Sequence, residues 1–164
     1  MSPAPERTVR LSVLDRLIDE APREAADAPG TWESSLLELR ERLVRDVEWL
    51  LNTRRITEPA PDSCPELQRS VYHFGLPDIT SMAASEDSRA LLARAVAECI
   101  ELFEPRLTAV RVIAKETGEA AGRGLHFTIE ALLRLDPSPE RVVFDTIVES
   151  ISGRVVVAGG ADAR

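Results

Sequence analysis

The stretch "LFEPRLTAVRVIAKE" (102–116) is where the periodicity of the chain changes. Before it, "SEDSRALLARAVAECIELF" (85–103) places Leu92, Val96, Cys99 and Phe103 at spacings of three and four, the helical period. After it, Val110, Val112 and Ala114 recur at every second residue, the period of a strand. Pro105 marks the boundary, because the residue before a proline is steered out of the α region. The stretch therefore predicts a helix-to-strand corner. A carboxylate, Glu104, and a guanidinium, Arg106, flank its proline.

Downstream of the corner the pattern stays at period two. "TGEAAGRG" is a glycine-bearing connection. In "LHFTIEALLRL" (125–135), Leu125, Phe127, Ile129, Ala131, Leu133 and Leu135 share one face, and His126, Thr128, Glu130 and Arg134 share the other. "DPSPE" turns, "RVVFDTIVESI" reads as a third strand, and "SGRVVV" passes through a tight turn into a fourth.

Upstream, "SSLLELRERLVRDVEWLLNTRR" (34–55) is the strongest helix, with Leu36, Leu39, Leu43, Val47 and Leu50 at helical spacing. Ser35 with Glu38 fits a capping box at its start. Asn52 suits its C-terminal cap, and Arg54 and Arg55 fall where the helix dipole favours cations. "LSVLDRLIDE" (11–20) reads as a short amphipathic helix with Leu11, Leu14, Leu17 and Ile18 on one face, and "APREAADAPGT" as a linker. Between the long helices, "GLPD" (75–78) is a turn signal: Pro77 pushes Leu76 extended, and Gly75 permits unusual dihedrals.

Helices first and strands after predict an α+β fold, with N-terminal helices packed on an antiparallel meander of about four strands. The expected organisation is an arm and linker over 1–30, one domain over 31–158 and a polar tail over 159–164. The composition of the arm suits a segment that orders on a partner. The net charge of −8 argues against binding nucleic acid through bulk charge. The N-terminus lacks the apolar run of a signal peptide, and no stretch approaches the ~18 apolar residues of a membrane span. Two cysteines, Cys64 and Cys99, make no disulfide framework, and Cys99 on an apolar helical face reads as a buried thiol. A cytoplasmic protein is expected.

No chemistry-bearing constellation stands out. Neither phosphate-loop spacing occurs, and His73 and His126 lie far apart outside metal-ligand spacing. No cofactor and no metal are expected. A glycosidase pair such as Glu104 with Glu130 or Asp145 is open by residue type alone and needs a shared cleft. The final strand is a candidate sheet edge, whose unpaired backbone groups need protection by a helix or Arg154, or else serve strand addition.

Four stretches occur in order: "LSVLDRL" (11–17), "LVRDVEWLLNTRR" (43–55), "SVYHFGLPDITS" (70–81) and "LFEPRL" (102–107). In combination they resemble the TssE family of type VI secretion baseplate components, within the lysozyme-like baseplate-wedge family shared with contractile phage tails. The resemblance spans roughly 9–157. It implies a structural subunit without enzyme activity, despite the family's name. It also implies that Glu104, Pro105 and Arg106 contact a core bundle built by two larger wedge proteins, and that a sheet edge receives strands of contractile sheath subunits. Other baseplate components are further possible partners, and no direct membrane insertion is implied. The matched motifs place Arg54, Arg55, Gly75, Leu76, Pro77 and Asp78 among the partner-binding residues. The edge strand, Gly153, Arg154, Val155, Val156 and Val157, is assigned by position. The competing readings are a peptidoglycan hydrolase, and the equivalent wedge protein of a phage tail or other contractile system.

Overall fold

A computed structural model describes residues 12–18, 22–23, 31–58, 60–78, 86–115, 124–149 and 152–159. The elements run α1 (Val13–Leu17), α2 (Trp32–Asn52), α3 (Pro65–Gln68), a 3-10 turn (Val71–His73), α4 (Glu86–Phe103), β1 (Leu107–Lys115), β2 (Gly124–Leu133), β3 (Glu140–Glu149) and β4 (Val155–Ala158). The strands form one antiparallel sheet in the order β1-β2-β3-β4. The fold is α+β, as the periodicities predict.

The core lies on one side of that sheet. Phe127, Ile129, Ala131 and Leu133 of β2 and Val142, Phe144 and Val148 of β3 are buried at every second position. They meet Leu39, Leu43, Val47, Leu50 and Leu51 of α2 and Leu92, Val96, Cys99 and Ile100 of α4 in one cluster. Removing this apolar area from water holds the two layers together. The opposite face is a half-exposed mosaic, where Lys115 pairs with Asp145 at 2.6 Å and Arg141 with Glu130 at 2.9 Å. Burial pushes the Cys99 thiol up to about 11, which keeps it protonated and unreactive.

Several expectations are corrected. Helix α2 starts earlier than the Ser35–Glu38 box implies. Its cap is Thr31, whose hydroxyl accepts the Ser34 N–H, while Glu38 pairs with Arg42. Asn52 is the last helical residue rather than a cap, so Arg54 and Arg55 lie beyond the helix and away from its dipole. The apolar residues of α1 do not face the core: Leu14, Leu17 and Ile18 are exposed, Leu17 at 76%, and Asp15 is the buried residue. Residues 1–11 of the arm, the 19–20 end of the expected helix, most of the 21–31 linker and the tail after 159 lie outside the described residues. Gly153 and Arg154 belong to the β3–β4 turn, since β4 begins at Val155.

The two sheet margins differ. In β1, the register shifts between Thr108 and Arg111, and Ala109 adopts φ 52°. This β-bulge bends the strand and breaks the regular ladder of that edge. At the other margin lies β4.

The loop after α2 pairs with the "GLPD" turn. The Leu76 N–H donates to the Thr53 carbonyl at 2.9 Å, and the Arg55 N–H to the Leu76 carbonyl at 2.7 Å. Gly75 sits at φ +97°, and a Cβ there would lie 2.2 Å from the Thr53 carbonyl oxygen. Both conformation and space exclude a side chain. Gly75→Ala is therefore expected to destabilise the protein by about 2–3 kcal/mol. Urea unfolding that shows a loss below about 0.5 kcal/mol, the usual range for surface substitutions, would contradict this reading.

Candidate docking surfaces

Glu104 and Arg106 form one clamp on the corner. The Glu104 N–H closes the last turn of α4 on the Ile100 carbonyl at 2.8 Å, and Pro105 then diverts the chain. Arg106 Nε and its backbone N–H donate to Glu104 Oε1 at 2.7 and 3.1 Å, and Nη2 donates to Glu104 Oε2. The same Nη2 reaches Asp46 Oδ2 of α2 at 2.7 Å. Arg134 holds the corner from β2's end, its N–H donating to the Arg106 carbonyl at 2.8 Å. Glu104 is only 6% exposed, whereas Pro105 is exposed and Arg106 half-buried. Burial pulls the Arg106 pKa down, but its hydrogen bonds to the Glu104 and Asp46 carboxylates outweigh that and raise the value above its ordinary one. The guanidinium is permanently charged.

The clamp extends into an ion network that the sequence reading did not single out. Asp15 of α1 accepts from Arg42 Nη1 at 3.2 Å and Arg45 Nη2 at 2.7 Å, and lies 3.9 Å from Arg106 Nη1. Ser12 completes a capping box with Asp15. Arg45 also pairs with Asp46 at 2.8 Å. The "LDRL" and "LFEPRL" stretches thus meet through charge. Asp15 was legible only as the one acid inside an otherwise apolar and basic "LSVLDRL".

The other selected residues gather at the opposite end of the sheet. Leu107 pairs with Leu133, and Leu133 with Glu140, so the corner sits at the β2–β3 turn. Val148 pairs with Val155, so the β3–β4 turn lies at the far end. There, a cleft of about 170 Å³ is lined by Asn52, Thr53, Arg54, Leu76, Pro77, Gly153 and Arg154, among others. Arg54 and Asp78 approach at 3.7 Å across its exposed rim, a weak pair. Helix α2 spans both ends: Arg40 pairs with Glu140 near the corner, and Asn52 meets Val155 at the far end.

Val155, Val156 and Val157 alternate buried, exposed, buried, so β4 presents one apolar face to the core. Among the described residues no group of three or more potential metal ligands occurs, and no helix is long and apolar enough to cross a membrane.

The described residues thus present a charged corner, a cleft lined by Arg54 and Arg154 and a sheet margin around a closed core. A family model described as baseplate wedge protein gp25 matches residues 37–138, from α2 through the β2–β3 turn. The chain belongs to this family, that of TssE and of phage baseplate wedge proteins. None of the curated proteins compared matches it.

Asp15 gives this surface a pH dependence. Burial raises its pKa, but hydrogen bonds from Ser12, Arg45 and Arg42 prevail and hold it at about 2 instead of 3.8. A carboxylate depressed on folding stabilises above its unfolded pKa, and that contribution fades as pH falls from about 4 to about 2. Asp15→Asn is expected to cost about 2 kcal/mol at neutral pH and little near pH 2. The check is unfolding free energy of both proteins along a pH series; a gap that stays constant refutes the ion-network role.

Proposed function

We propose that this chain is a structural baseplate subunit of a type VI secretion system, a contractile injection machine. It docks on the core bundle of two larger wedge proteins through Glu104, Pro105 and Arg106. It offers the outer edge of β4, Val155 to Val157, to strands of sheath subunits, and so helps to nucleate sheath assembly. It works in the cytoplasm, at the secretion complex anchored in the inner membrane. The cleft around Arg54, Leu76, Pro77, Gly153 and Arg154, with Asp78 at its rim and Arg55 and Gly75 beside it, forms a second contact area for baseplate components.

The observation that carries this reading is the clamped corner. Pro105 stands exposed on an elbow fixed by Arg106, with the charges beside it held by α2. A fixed elbow loses little freedom on binding, and a charge pair desolvated at an interface discriminates strongly between partners. The type VI branch is favoured over phage tails because "LDRL" and "WLLNTRR" carry the resemblance, and Asp15 joins the corner's network.

A peptidoglycan hydrolase is disfavoured by the fate of its candidate carboxylates. Both oxygens of Glu104 are engaged by Arg106. Glu130 and Asp145 project from the other face of the sheet, each tied to a cation. A paired acid and nucleophile need one cleft. Purified protein should leave the turbidity of a cell-wall suspension unchanged; lysis that Glu104→Gln abolishes would establish the hydrolase instead.

The docking role is tested by co-purification from cells that express the wedge proteins. Removing one charge would strand the other, so the informative variant is Glu104→Ala with Arg106→Ala, checked for folding by circular dichroism. It should lose its wedge partners. A folded double variant that retains them reduces the corner to a structural cap.

A further inference from the structure

The cleft at the far end of the sheet is walled by three separate stretches. They are the end of α2 with Thr53 and Arg54, the Leu76–Pro77 turn, and the β3–β4 turn with Gly153 and Arg154. Hydrogen bonds fix each of them. Leu76 is held on both sides, its N–H on the Thr53 carbonyl at 2.9 Å and its carbonyl on the Arg55 N–H at 2.7 Å. The Gly153 N–H closes its turn on the Glu149 carbonyl at 2.8 Å, and the Arg154 N–H donates to Ser152 Oγ at 3.0 Å. Asn52 ties the first wall to the third, holding both backbone groups of Val155 at 2.9 and 2.8 Å. The shape of the cleft is therefore set before anything enters it, which lowers the cost of binding.

The two guanidiniums beside it are weakly committed. Arg54 meets Asp78 only at 3.7 Å, with its side chain 63% exposed. The Arg154 guanidinium pairs with no carboxylate among the described residues. The backbone of Arg54 is open as well: Thr53 and Arg55 take the groups of Leu76, and no hydrogen bond engages the Arg54 N–H among the described residues. At the corner, by contrast, Arg42, Arg45 and Arg106 each hold a carboxylate at 3.2 Å or closer. Donors thus gather at the cleft without matching acceptors, in a chain whose net charge is −8.

Size and charge limit what the acceptor can be. A volume of about 170 Å³ falls below the ~300–1,000 Å³ of cofactor and drug-sized ligand sites, so the cleft suits a single side chain. Two acids stand close: Asp78 beside Arg54, and Glu149, whose carboxylate accepts from Ser152 Oγ at 2.7 Å. A monoanion gains from the guanidiniums at little cost, whereas a phosphate dianion or a polyanion is repelled by both acids and by the net charge. The planar fork of arginine matches the two oxygens of a carboxylate. Leu51, Leu76 and Pro77 supply apolar lining for the methylenes behind it. We propose that the cleft is a carboxylate site, which takes one glutamate or aspartate side chain of a partner between Arg54 and Arg154. This rests on the reading of the cleft as a contact area and supplies its chemistry.

The experiment is an NMR titration of the full chain that follows the backbone amides of Arg54, Gly153 and Arg154. The probe is the peptide acetyl-Ala-Glu-Ala-amide, compared with acetyl-Ala-Gln-Ala-amide and inorganic phosphate. The glutamate peptide should move all three signals and bind at least tenfold more tightly than the glutamine peptide. Arg54→Gln and Arg154→Gln should each weaken it about tenfold, the loss of one charge-assisted contact. Arg94→Gln, at an exposed ion pair on α4, should leave it unchanged. An equal response to the two peptides, or a loss that Arg94→Gln shares, overturns the site. Phosphate that binds as tightly as the glutamate peptide overturns the carboxylate assignment. The contact reading fails separately. If the peptide results hold, and a folded variant with both Arg54→Gln and Arg154→Gln still co-purifies with every baseplate protein, the carboxylate site stands and baseplate proteins are not its partners.

Discussion

Arg106 links parts of the chain that nothing else ties together so directly. Its guanidinium spans from the corner's own Glu104 to Asp46 on α2, and it stands near Asp15 on α1. The planar fork makes this possible, because it presents several donors in fixed directions. Lysine's single ammonium would have to choose among those acids. Buried charge is costly to leave unpaired, so each acid depends on the others remaining engaged. The angle between α4 and β1, the seat of α2 and the seat of α1 are consequently one geometric problem with one solution.

That network bears on what the sequence could disclose. The change of period at Pro105 locates the corner, and alternation over 125–135 assigns β2's faces, because both signals are local. Leu125, Phe127, Ile129, Ala131 and Leu133 lie together as their spacing demands. The failures are also physical. Ser35 and Glu38 fit a capping pattern, but Thr31 captures the helix start and Arg42 takes the Glu38 carboxylate. In α1, an apolar stripe suggested a core-facing side, yet a single buried ion network around Asp15 decides which way the short helix turns. A five-residue helix has too little apolar surface to overrule it.

The candidate surfaces were legible in part. Glu104, Pro105 and Arg106 stood out by juxtaposition. Thr53–Arg55 and Gly75–Leu76 stood out separately, and only backbone pairing across the fold brings them together. Asn52 was read as a helix cap. Its contact with Val155 spans a sequence separation of 103 residues, which no local pattern records. Asp46 lay unnoticed on the flank of α2 for the same reason: its partner is set by tertiary packing.

The bulge in β1 gives the sheet a handed future. A sheet with two regular margins can be extended from either side, and copies of it can stack on one another without limit. Here the ladder is interrupted at Ala109 on one side, while the regular pairing of β3 with β4 continues to the other. At that other margin α2 lies alongside, and Asn52 takes up both backbone groups of Val155. A sheet kinked at one margin and held by a helix at the other resists stacking on copies of itself.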